Sequence, residues 1–421
     1  MPLSFSQIIG AGIGFALDSI LQTLPFWLPI ILGYLLAWLW LYYVRAKFIK
    51  NLQCVLLEVK MPREIRKSPK AMEVALGAFY QTWDGDNLLI GNWLHGQLRA
   101  WFSLELVSLN GEIHFYIWTQ KFFRNLVESQ LYAQYPGVEI FEVEDYTNKM
   151  PYGLPARSTD GPESDWKLWG AEFTLSKEDA YPIKPYVSYG LEDAGAKEEE
   201  KVDPMTATLE YLGTLKPGEQ MWVQILVQAT RQRFKKAGTW FGKQDWRGDS
   251  QALIEKLMKR DQAKLMGEEG GSLGSLLLSP GERKVVEEIE RSVSKLGFDV
   301  GIRVIYFAKG KLFNPLNVAA ISGLFKQYNS LDLNGFKIKR KTSIEYPWED
   351  PTGRRIVKLK AIMFDAYRRR SYFYPPYRRQ PFVLNTEELA TIYHFPGQVA
   401  TTPSLQKIES KRGEPPPGLP V

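Results

Sequence analysis

The sequence predicts an α+β protein with one transmembrane helix near its N-terminus. Three observations lead to this fold class. Residues 19–44 contain no charged side chain. The segments that follow alternate between the two-residue period of strands and the 3.6-residue period of helices, and the order of these patterns repeats in the second half of the chain. A chain of 421 residues is long enough for two or three domains with their own cores.

The N-terminal apolar segment is predicted to cross a membrane once. Its strongest part, Pro25–Val44, spans about 30 Å as a helix, which matches the hydrocarbon core of a bilayer. Aromatic residues cluster at both ends of this part, as in the aromatic belts of membrane proteins. Residues 5–24 are amphipathic, and they either lie on the outer side of the membrane or form a short second arm.

Basic residues predict the orientation of this segment. Arg45, Lys47 and Lys50 follow it directly, whereas residues 1–24 contain neither Lys nor Arg. The positive-inside rule therefore places the N-terminus outside and the remaining chain in the cytoplasm. The single cysteine, Cys54, fits a reducing compartment. Residues 1–50 are thus predicted to be a membrane anchor, and the body behind it is predicted to be cytoplasmic.

Residues 51–150 are predicted to form a first α+β domain. The patterns indicate strands at 54–60, 99–109, 112–119 and 138–144, with helices at 68–82 and 121–134. Asn110-Gly111, between the second and third strands, is typical of a tight hairpin. The resulting order βαββαβ is the plan of a ferredoxin-like domain.

Residues 151–345 are predicted to repeat that plan. Strands are indicated at 168–175, 221–229, 300–308 and 335–340, with helices at 204–212 and 315–328. Asp203 is a plausible N-cap for the first of these helices. An insertion at about 230–297 carries charged helical stretches at Asp249–Met266 and Pro280–Leu296. We therefore predict two ferredoxin-like (βαββαβ) domains, with a helical insertion in the second, as two related units rather than one large sheet.

Residues 346–421 are predicted to form a basic-aromatic helix around Arg354–Arg370 and an extended Pro-rich tail after Phe395. Residues 352–382 contain nine Arg or Lys residues against one acid, Asp365. Cations that alternate with rings can bind phosphates and stack on bases, but the same pattern suits a protein interface or anionic lipid. The sequence leaves these three partners open. The predicted contact residues are Arg368, Arg369, Arg370, Tyr372, Tyr374, Tyr377, Arg378, Arg379, His394 and Pro396.

Catalytic motifs are not found in this sequence. The phosphate-binding loop G-x-x-x-x-G-K-[ST] does not occur. The three histidines, His95, His114 and His394, show no spacing typical of metal ligands. We therefore expect a protein without enzymatic activity, cofactor or metal.

Three sequence blocks resemble the membrane-anchored, non-motor region of bacterial type IV secretion and conjugative-transfer ATPases of the FtsK/HerA type. They begin with Leu56-Leu-Glu-Val-Lys-Met-Pro, Asp203-Pro-Met-Thr-Ala-Thr-Leu and Leu384-Asn-Thr-Glu-Glu-Leu. In fused relatives the last block leads into a hexameric motor, whereas this sequence reaches Val421 without a phosphate-binding loop.

The resemblance implies a scaffold in the inner (cytoplasmic) membrane that recruits a separate P-loop ATPase of the FtsK/HerA type. It also allows a homo-oligomer. The alternative is a membrane-tethered nucleic-acid-binding protein that contacts DNA through its basic-aromatic stretches.

Overall fold

The computed structural model describes residues 5–62, 67–82, 88–150, 166–192, 202–231, 233–234, 243–258, 278–397 and 407–408. The chain divides into two compact units, Met1–Leu52 with Trp83–Arg99, and Gln53–Thr82 with Ala100–Val421. The described helices are α1 (Phe5–Asn51), α2 (Lys70–Leu76), α3 (Leu88–Trp93), α4 (Arg124–Gln134), α5 (Pro204–Gly213), α6 (Trp246–Leu257), α7 (Pro280–Val293), α8 (Pro315–Gly323), α9 (Arg354–Arg368) and α10 (Thr386–Ile392). The described strands are β1 (Cys54–Pro62), β2 (Phe102–Leu109), β3 (Glu112–Gln120), β4 (Glu139–Val143), β5 (Trp166–Leu175), β6 (Glu219–Ala229), β7 (Arg233–Phe234), β8 (Lys243–Gln244), β9 (Gly297–Lys309), β10 (Phe336–Lys341), β11 (Phe382–Asn385) and β12 (Lys407–Ile408).

The first unit contains the predicted span. Its helix α1 includes an apolar stretch within Leu21–Asn51 whose mean hydropathy is 1.8 and which is not buried by protein. Large apolar side chains such as Phe26, Ile30 and Leu36 are exposed. This helix is therefore long and apolar enough to span a membrane. Because α1 runs without a break from Phe5, residues 5–24 extend it and do not form a separate arm.

Helix α3 packs beside the C-terminal part of α1 within the same unit. The indole Nε1–H of Trp40 donates to the backbone oxygen of Trp93 at 2.7 Å. Gly96, at φ +62°, approaches α1 so closely that a Cβ there would lie 2.7 Å from the carbonyl of Val44. A glycine is needed at this position for both reasons.

The second unit is built on a ten-stranded sheet. Its strand order is β10-β5-β9-β6-β2-β3-β1, with β4 and β12 paired to β1 and β11 paired to β9. Residues Phe102–Leu109 of β2 pair antiparallel with Gln220–Val227 of β6. The strands of the two predicted domains therefore lie in one sheet, and the expectation of two separate sheets is wrong. Joining the two edges satisfies backbone N–H and C=O groups that would otherwise be exposed at each edge.

One face of this sheet carries the main apolar core. Helices α2, α4, α5, α8 and α10 contribute side chains such as Leu76, Leu131 and Leu209, which pack with strand residues such as Leu104 and Ile225. Helix α9 lies on the opposite face, where Phe364 contacts the ring of Phe307 at 5.7 Å between centroids. The sheet is thus buried on both faces.

Several local predictions are confirmed. Asn110 and Gly111 adopt φ angles of 58° and 92° and connect the β2–β3 hairpin. The Asp203 carboxylate accepts the backbone N–H of Met205 and caps α5. Helix α9 matches the predicted basic-aromatic helix, whereas α2 is shorter than predicted and ends in a 3-10 turn at Gly77–Phe79.

The insertion contains both predicted helices. Helices α6 and α7 pack through a small apolar cluster that includes Ile254, Val286 and Ile289, and residues 259–277 lie outside the described part of the chain. Most of the predicted Pro-rich tail also lies outside it. Lys407–Ile408 are described, and they pair parallel with Met61 and Pro62 of β1.

Candidate functional site

A row of polar side chains crosses the centre of the sheet on the face opposite the main core. Glu105 of β2 lies opposite Gln224 of β6, Gln224 lies opposite Arg303 of β9, and Arg303 lies opposite Glu172 of β5. We call these four residues the polar row. All four are buried, with at most 3% of any residue exposed. Because an uncompensated buried charge is strongly destabilising, the polar row requires partners.

Residues 365–379, here the covering segment, supply many of those partners. The Arg303 guanidinium donates to the backbone oxygens of Ala366 at 3.0 Å and Ser371 at 2.6 Å. The Gln224 side-chain amide donates to the backbone oxygen of Tyr367 at 3.2 Å. The basic-aromatic stretch therefore turns much of its polar surface inward, onto the sheet.

Arg370 is the central contact between the covering segment and the sheet. Its guanidinium donates to both carboxylate oxygens of Glu105, at 3.0 and 3.1 Å, and pairs with Asp145. Burial alone would lower the pKa of Arg370, but the charges of Glu105 and Asp145 outweigh burial and raise this pKa well above its ordinary value. Arg370, predicted as a partner contact, is only 2% exposed, and its charge is already compensated within the fold.

A second ionic group lies at the other end of the polar row. Glu172 accepts from Arg303 at 3.1 Å and lies 3.3 Å from Arg379 and 3.5 Å from Arg340. Burial lowers the pKa of Arg303, and the charge of Glu172 opposes that effect. Three cations thus surround one carboxylate, and Arg340, whose side chain is half exposed, extends the excess positive charge to the surface.

The tyrosines of the covering segment fill the space around these ions. Tyr372 is buried, and its ring lies so close to Gly301 that a Cβ there would be 2.4 Å from it. The Tyr374 hydroxyl accepts from Gln228 at 2.9 Å, and the Tyr377 hydroxyl donates to Asp365 at 2.7 Å. Tyr372 is therefore unavailable to a partner, while Tyr374 and Tyr377 are half-buried.

Three of the predicted contact residues are exposed. Arg368 and Arg369 lie 3.3 and 2.8 Å from the Asp365 carboxylate and still present much of their side chains to solvent, as does Arg378. These three arginines remain candidates for contact with a partner.

His394 and Pro396, predicted to lie on a docking surface, are buried in the described structure. The Nε2 of His394 lies 3.2 Å from the Asp203 carboxylate, and its Nδ1 lies 2.8 Å from the backbone oxygen of Ala390. A backbone oxygen and an ionised Asp203 can only accept, so both ring nitrogens carry hydrogen when Asp203 is ionised. Burial lowers the pKa of His394, but Asp203 and the hydrogen bonds more than offset burial and raise it. The pair fixes the segment that follows α10 to the N-cap of α5.

Sequence reasoning missed the polar row. Each member is a lone polar residue within an apolar strand, such as Gln224 in Met221-Trp-Val-Gln-Ile-Leu-Val. A polar residue that interrupts an apolar strand in this way predicts a buried polar contact, because a buried polar group is expected to have a partner. Such residues do not reveal that the partner is Arg370, which is 265 residues from Glu105 in the chain.

An exposed pair of rings precedes α9. Tyr346 and Trp348 stack with their centroids 4.7 Å apart and are 49% and 72% exposed. Arg354, Arg355 and Lys358, in the first turns of α9, are exposed as well. This loop and helix combine accessible cations with accessible aromatic surface, which the sequence had placed further along, at Tyr372–Tyr377.

Within the described ranges, His, Cys, Asp and Glu residues do not form a group of three or more that could hold a metal ion. Among curated proteins, none matches this sequence. A family model described as "Domain of unknown function (DUF8128)" matches residues 93–407. This match covers most of the second unit, including the polar row and the covering segment, and the chain therefore belongs to the DUF8128 family.

Proposed function

We propose that the protein is a non-enzymatic scaffold, anchored in the inner membrane, that recruits a separate P-loop ATPase of a type IV secretion or conjugative DNA-transfer machine. The observation that carries the proposal is helix α1, whose exposed apolar stretch is continuous in the chain with a large folded body. The resemblance of three sequence blocks to transfer ATPases supports the kind of machine. Arg45, Lys47 and Lys50 favour a cytoplasmic body.

We infer that this body consists of two ferredoxin-like halves joined edge to edge. The order β4-β1-β3-β2 in the first half corresponds to β10-β5-β9-β6 in the second, and each half follows the sequence βαββαβ along the chain. The covering segment contacts both halves, through Glu105 of β2 and Arg303 of β9. A body whose halves are joined by these hydrogen bonds and ion pairs suits a scaffold, since a rigid surface loses less conformational entropy when a partner binds.

The proposed docking surface consists of exposed cations on the outside of the covering segment and α9. Arg368, Arg369 and Arg378 belong to it, together with Arg354 and Arg355. Long-range attraction by such cations would speed encounter with an acidic partner surface. The buried members of the predicted set, Arg370 and Tyr372 among them, would act indirectly by holding this surface in place.

Co-purification of the tagged full-length protein in mild detergent tests the proposal. We expect a P-loop ATPase to co-purify with the wild type and to be lost from the triple variant Arg368→Gln/Arg369→Gln/Arg378→Gln. The matched control Arg283→Gln/Lys284→Gln, on the exposed surface of α7, should retain it. Absence of a P-loop ATPase under several detergents would contradict the recruiting role.

The anchoring part of the proposal has its own test. Full-length protein should stay with membranes after alkaline carbonate extraction, whereas a variant that lacks residues 5–44 should be released. In intact spheroplasts, external protease should leave the body uncleaved if it is cytoplasmic. Cleavage of the body from outside would reverse the proposed orientation.

Nucleic-acid binding is the second candidate function, and the exposed Tyr346–Trp348 stack beside the cations of α9 favours it. Rings of this kind stack on unpaired bases, while the cations contact phosphates. Binding of labelled single-stranded DNA should weaken steeply with salt and should fall when Tyr346→Ala and Trp348→Ala are combined. Undetectable or salt-independent binding would remove this candidate.

A further inference from the structure

The two outermost strands of the sheet differ in charge. Residues 139–144, which form β4 and its end, contain three glutamates and no basic residue. Strand β10, at the opposite end of the ladder, contains Lys337, Lys339, Arg340 and Lys341 and no acid. Glu139, Glu142 and Glu144 are exposed, and so are the four cations of β10. One edge of the sheet is therefore acidic and the other is basic.

Both edges have an open side within the described residues. Strand β4 pairs with β1, and strand β10 pairs with β5; among the described strands, neither has a neighbour on its outer side. On β10 the Asn329 side-chain oxygen accepts the backbone N–H of Phe336 at 2.7 Å, so the open stretch begins at Lys337. An open strand edge is a template for pairing with another strand.

Strand directions allow identical chains to pair through these edges. Seven antiparallel pairings lead from β10 to β4, so these two strands run in opposite directions. A second copy in the same orientation, placed beside the first, would therefore bring its β10 antiparallel to β4. The core-side helices of both copies would then lie on the same face of the extended sheet.

The existing neighbour of β10 shows which side chains suit it. Strand β5 places Glu172 opposite Arg340 and Phe173 opposite Ile338, and a β-bulge at Lys339 shifts the register by one residue between these two pairs. This pairing sets an acid against a cation on one face and two apolar side chains against each other on the other face. Cross-strand pairs of both kinds stabilise a sheet.

Strand β4 contains the same succession of acid and apolar residue. With the β-bulge at Lys339 kept in each copy, Glu139 of one copy lies opposite Arg340 of the next and Ile140 lies opposite Ile338. Ile140 and Ile338 both pack against the main apolar core of their own chain, so they would meet on the core side of the sheet. The charge pair would lie on the polar-row side, as Glu172 and Arg340 do.

We propose that the acidic β4 edge of one copy pairs with the basic β10 edge of a second copy of this chain, in a head-to-tail contact. In such a pair, the copy that uses its β4 edge keeps an open β10 edge, and the copy that uses its β10 edge keeps an open β4 edge. The contact can therefore repeat along a row of copies. Membrane tethering of the copies would raise their local concentration and favour this short contact. The proposal rests on the sheet edges and is independent of the ATPase and of the docking surface.

Reciprocal charge reversal tests this contact in the full-length protein. We expect oligomers of the wild type, measured by native mass spectrometry from detergent and by cross-linking in vesicles of neutral lipid. The variant Glu139→Lys/Glu144→Lys carries two lysines against Glu142 on its β4 edge, and the variant Lys337→Glu/Lys339→Glu/Lys341→Glu carries three glutamates against Arg340 on its β10 edge. Each should associate about tenfold or more weakly, because like charges then face each other. An equal mixture of the two variants should associate again, in alternating order.

The control Glu287→Lys/Glu290→Lys changes exposed charges on α7 and should associate like the wild type. Circular dichroism of each variant separates loss of contact from loss of fold. A wild type that stays monomeric both in detergent and in vesicles overturns the proposal. Oligomers that survive both single reversals unchanged, or two folded variants whose mixture stays monomeric, overturn it as well.

A cysteine pair tests the alignment itself. Ile140→Cys/Ile338→Cys in a Cys54→Ser background should form intermolecular disulfides on mild oxidation, because facing residues in antiparallel strands have Cβ atoms about 4.5–5.5 Å apart. The displaced pair Glu144→Cys/Ile338→Cys serves as the comparison. Equal cross-linking of both pairs would show that the chains do not meet in the proposed register.

Discussion

Arg370 donates to both carboxylate oxygens of Glu105 from a position 265 residues further along the chain, at 3.0 and 3.1 Å. Both residues are almost wholly buried, and Arg370 also adopts a positive φ of 49°. A non-glycine residue rarely adopts such a conformation unless its surroundings stabilise it. The pair joins the covering segment to β2, close to the line where the strands of the two halves meet.

Removal of this cation should destabilise the fold strongly. Arg370→Met leaves the buried Glu105 and the half-buried Asp145 without their shared partner, so we expect a loss of about 3–5 kcal/mol in the free energy of unfolding. Chemical denaturation of the full-length protein in detergent, followed by tryptophan fluorescence, measures it. The exposed neighbour Arg369→Met should cost less than about 1 kcal/mol. Equal losses at both positions would show that the buried pair contributes little.

The double variant Arg370→Met/Glu105→Met separates lost attraction from an uncompensated charge. If Arg370→Met is costly mainly because it leaves an unpaired carboxylate, the double variant should lose less free energy of unfolding than the sum of the losses in the two single variants. Additive losses would instead indicate that the two residues act independently.

A methyl group at Gly301 should disturb the covering segment. The added Cβ would meet the Tyr372 ring at 2.4 Å, so either the ring or the strand must shift. We expect Gly301→Ala to cost about 1–3 kcal/mol, and its melting temperature reports the loss. Gly248→Ala, within α6 and with nothing within 4 Å of the added Cβ, should instead be neutral or slightly stabilising. Similar behaviour of both variants would argue against close packing at Gly301.

Stability should fall as the pH rises above neutrality, because of His394. The folded-state pKa of His394 is raised above 6.5 by Asp203, so its contribution is complete below about pH 6.5 and is lost as the pH rises through the folded value. The pKa of Asp203 is lowered by His394 against the effect of burial, so its contribution is present above about pH 3.8 and is lost as the pH falls below that.

Unfolding measured between about pH 5.5 and 9 tests the histidine contribution. His394→Gln should flatten the decline between neutral and alkaline pH, and Asp203→Asn should flatten it too. NMR of histidine-labelled protein follows the same titration directly, and the signal missing from His394→Gln identifies the residue. A decline that persists unchanged in both variants would assign it to other groups.

Cys54 should react slowly in the folded protein. Burial raises the pKa of its thiol to about 12, although the charge of Arg370 acts in the opposite direction. At pH 8 the thiolate fraction is then on the order of a thousandfold below that of an ordinary cysteine. Alkylation by iodoacetamide, compared before and after denaturation, measures this difference. Rapid alkylation of folded protein would contradict the raised pKa of this half-buried thiol.

The sequence by itself was sufficient to predict those elements that depend on neighbouring residues. The charge-free apolar run within α1, the Asn110-Gly111 turn and the Asp203 cap each depend on residues close together in the chain. Backbone sterics, helix capping and apolar periodicity act over a few residues. For this reason they can be recognised without knowledge of the fold. The proposed membrane orientation depends on charges just after the span and is local in the same sense.

Tertiary structure decided which edges and charges meet. Nothing near Phe102–Leu109 in the sequence shows that β2 pairs with β6, because strand pairing depends on contacts between distant segments. The same holds for Arg370, which belongs to an exposed-looking run of three arginines and is buried, while Arg368 and Arg369 are exposed. Composition describes how much charge a segment carries. Burial, which determines whether a charge contacts a partner or stabilises the fold, depends on where distant carboxylates such as Glu105 and Asp145 lie.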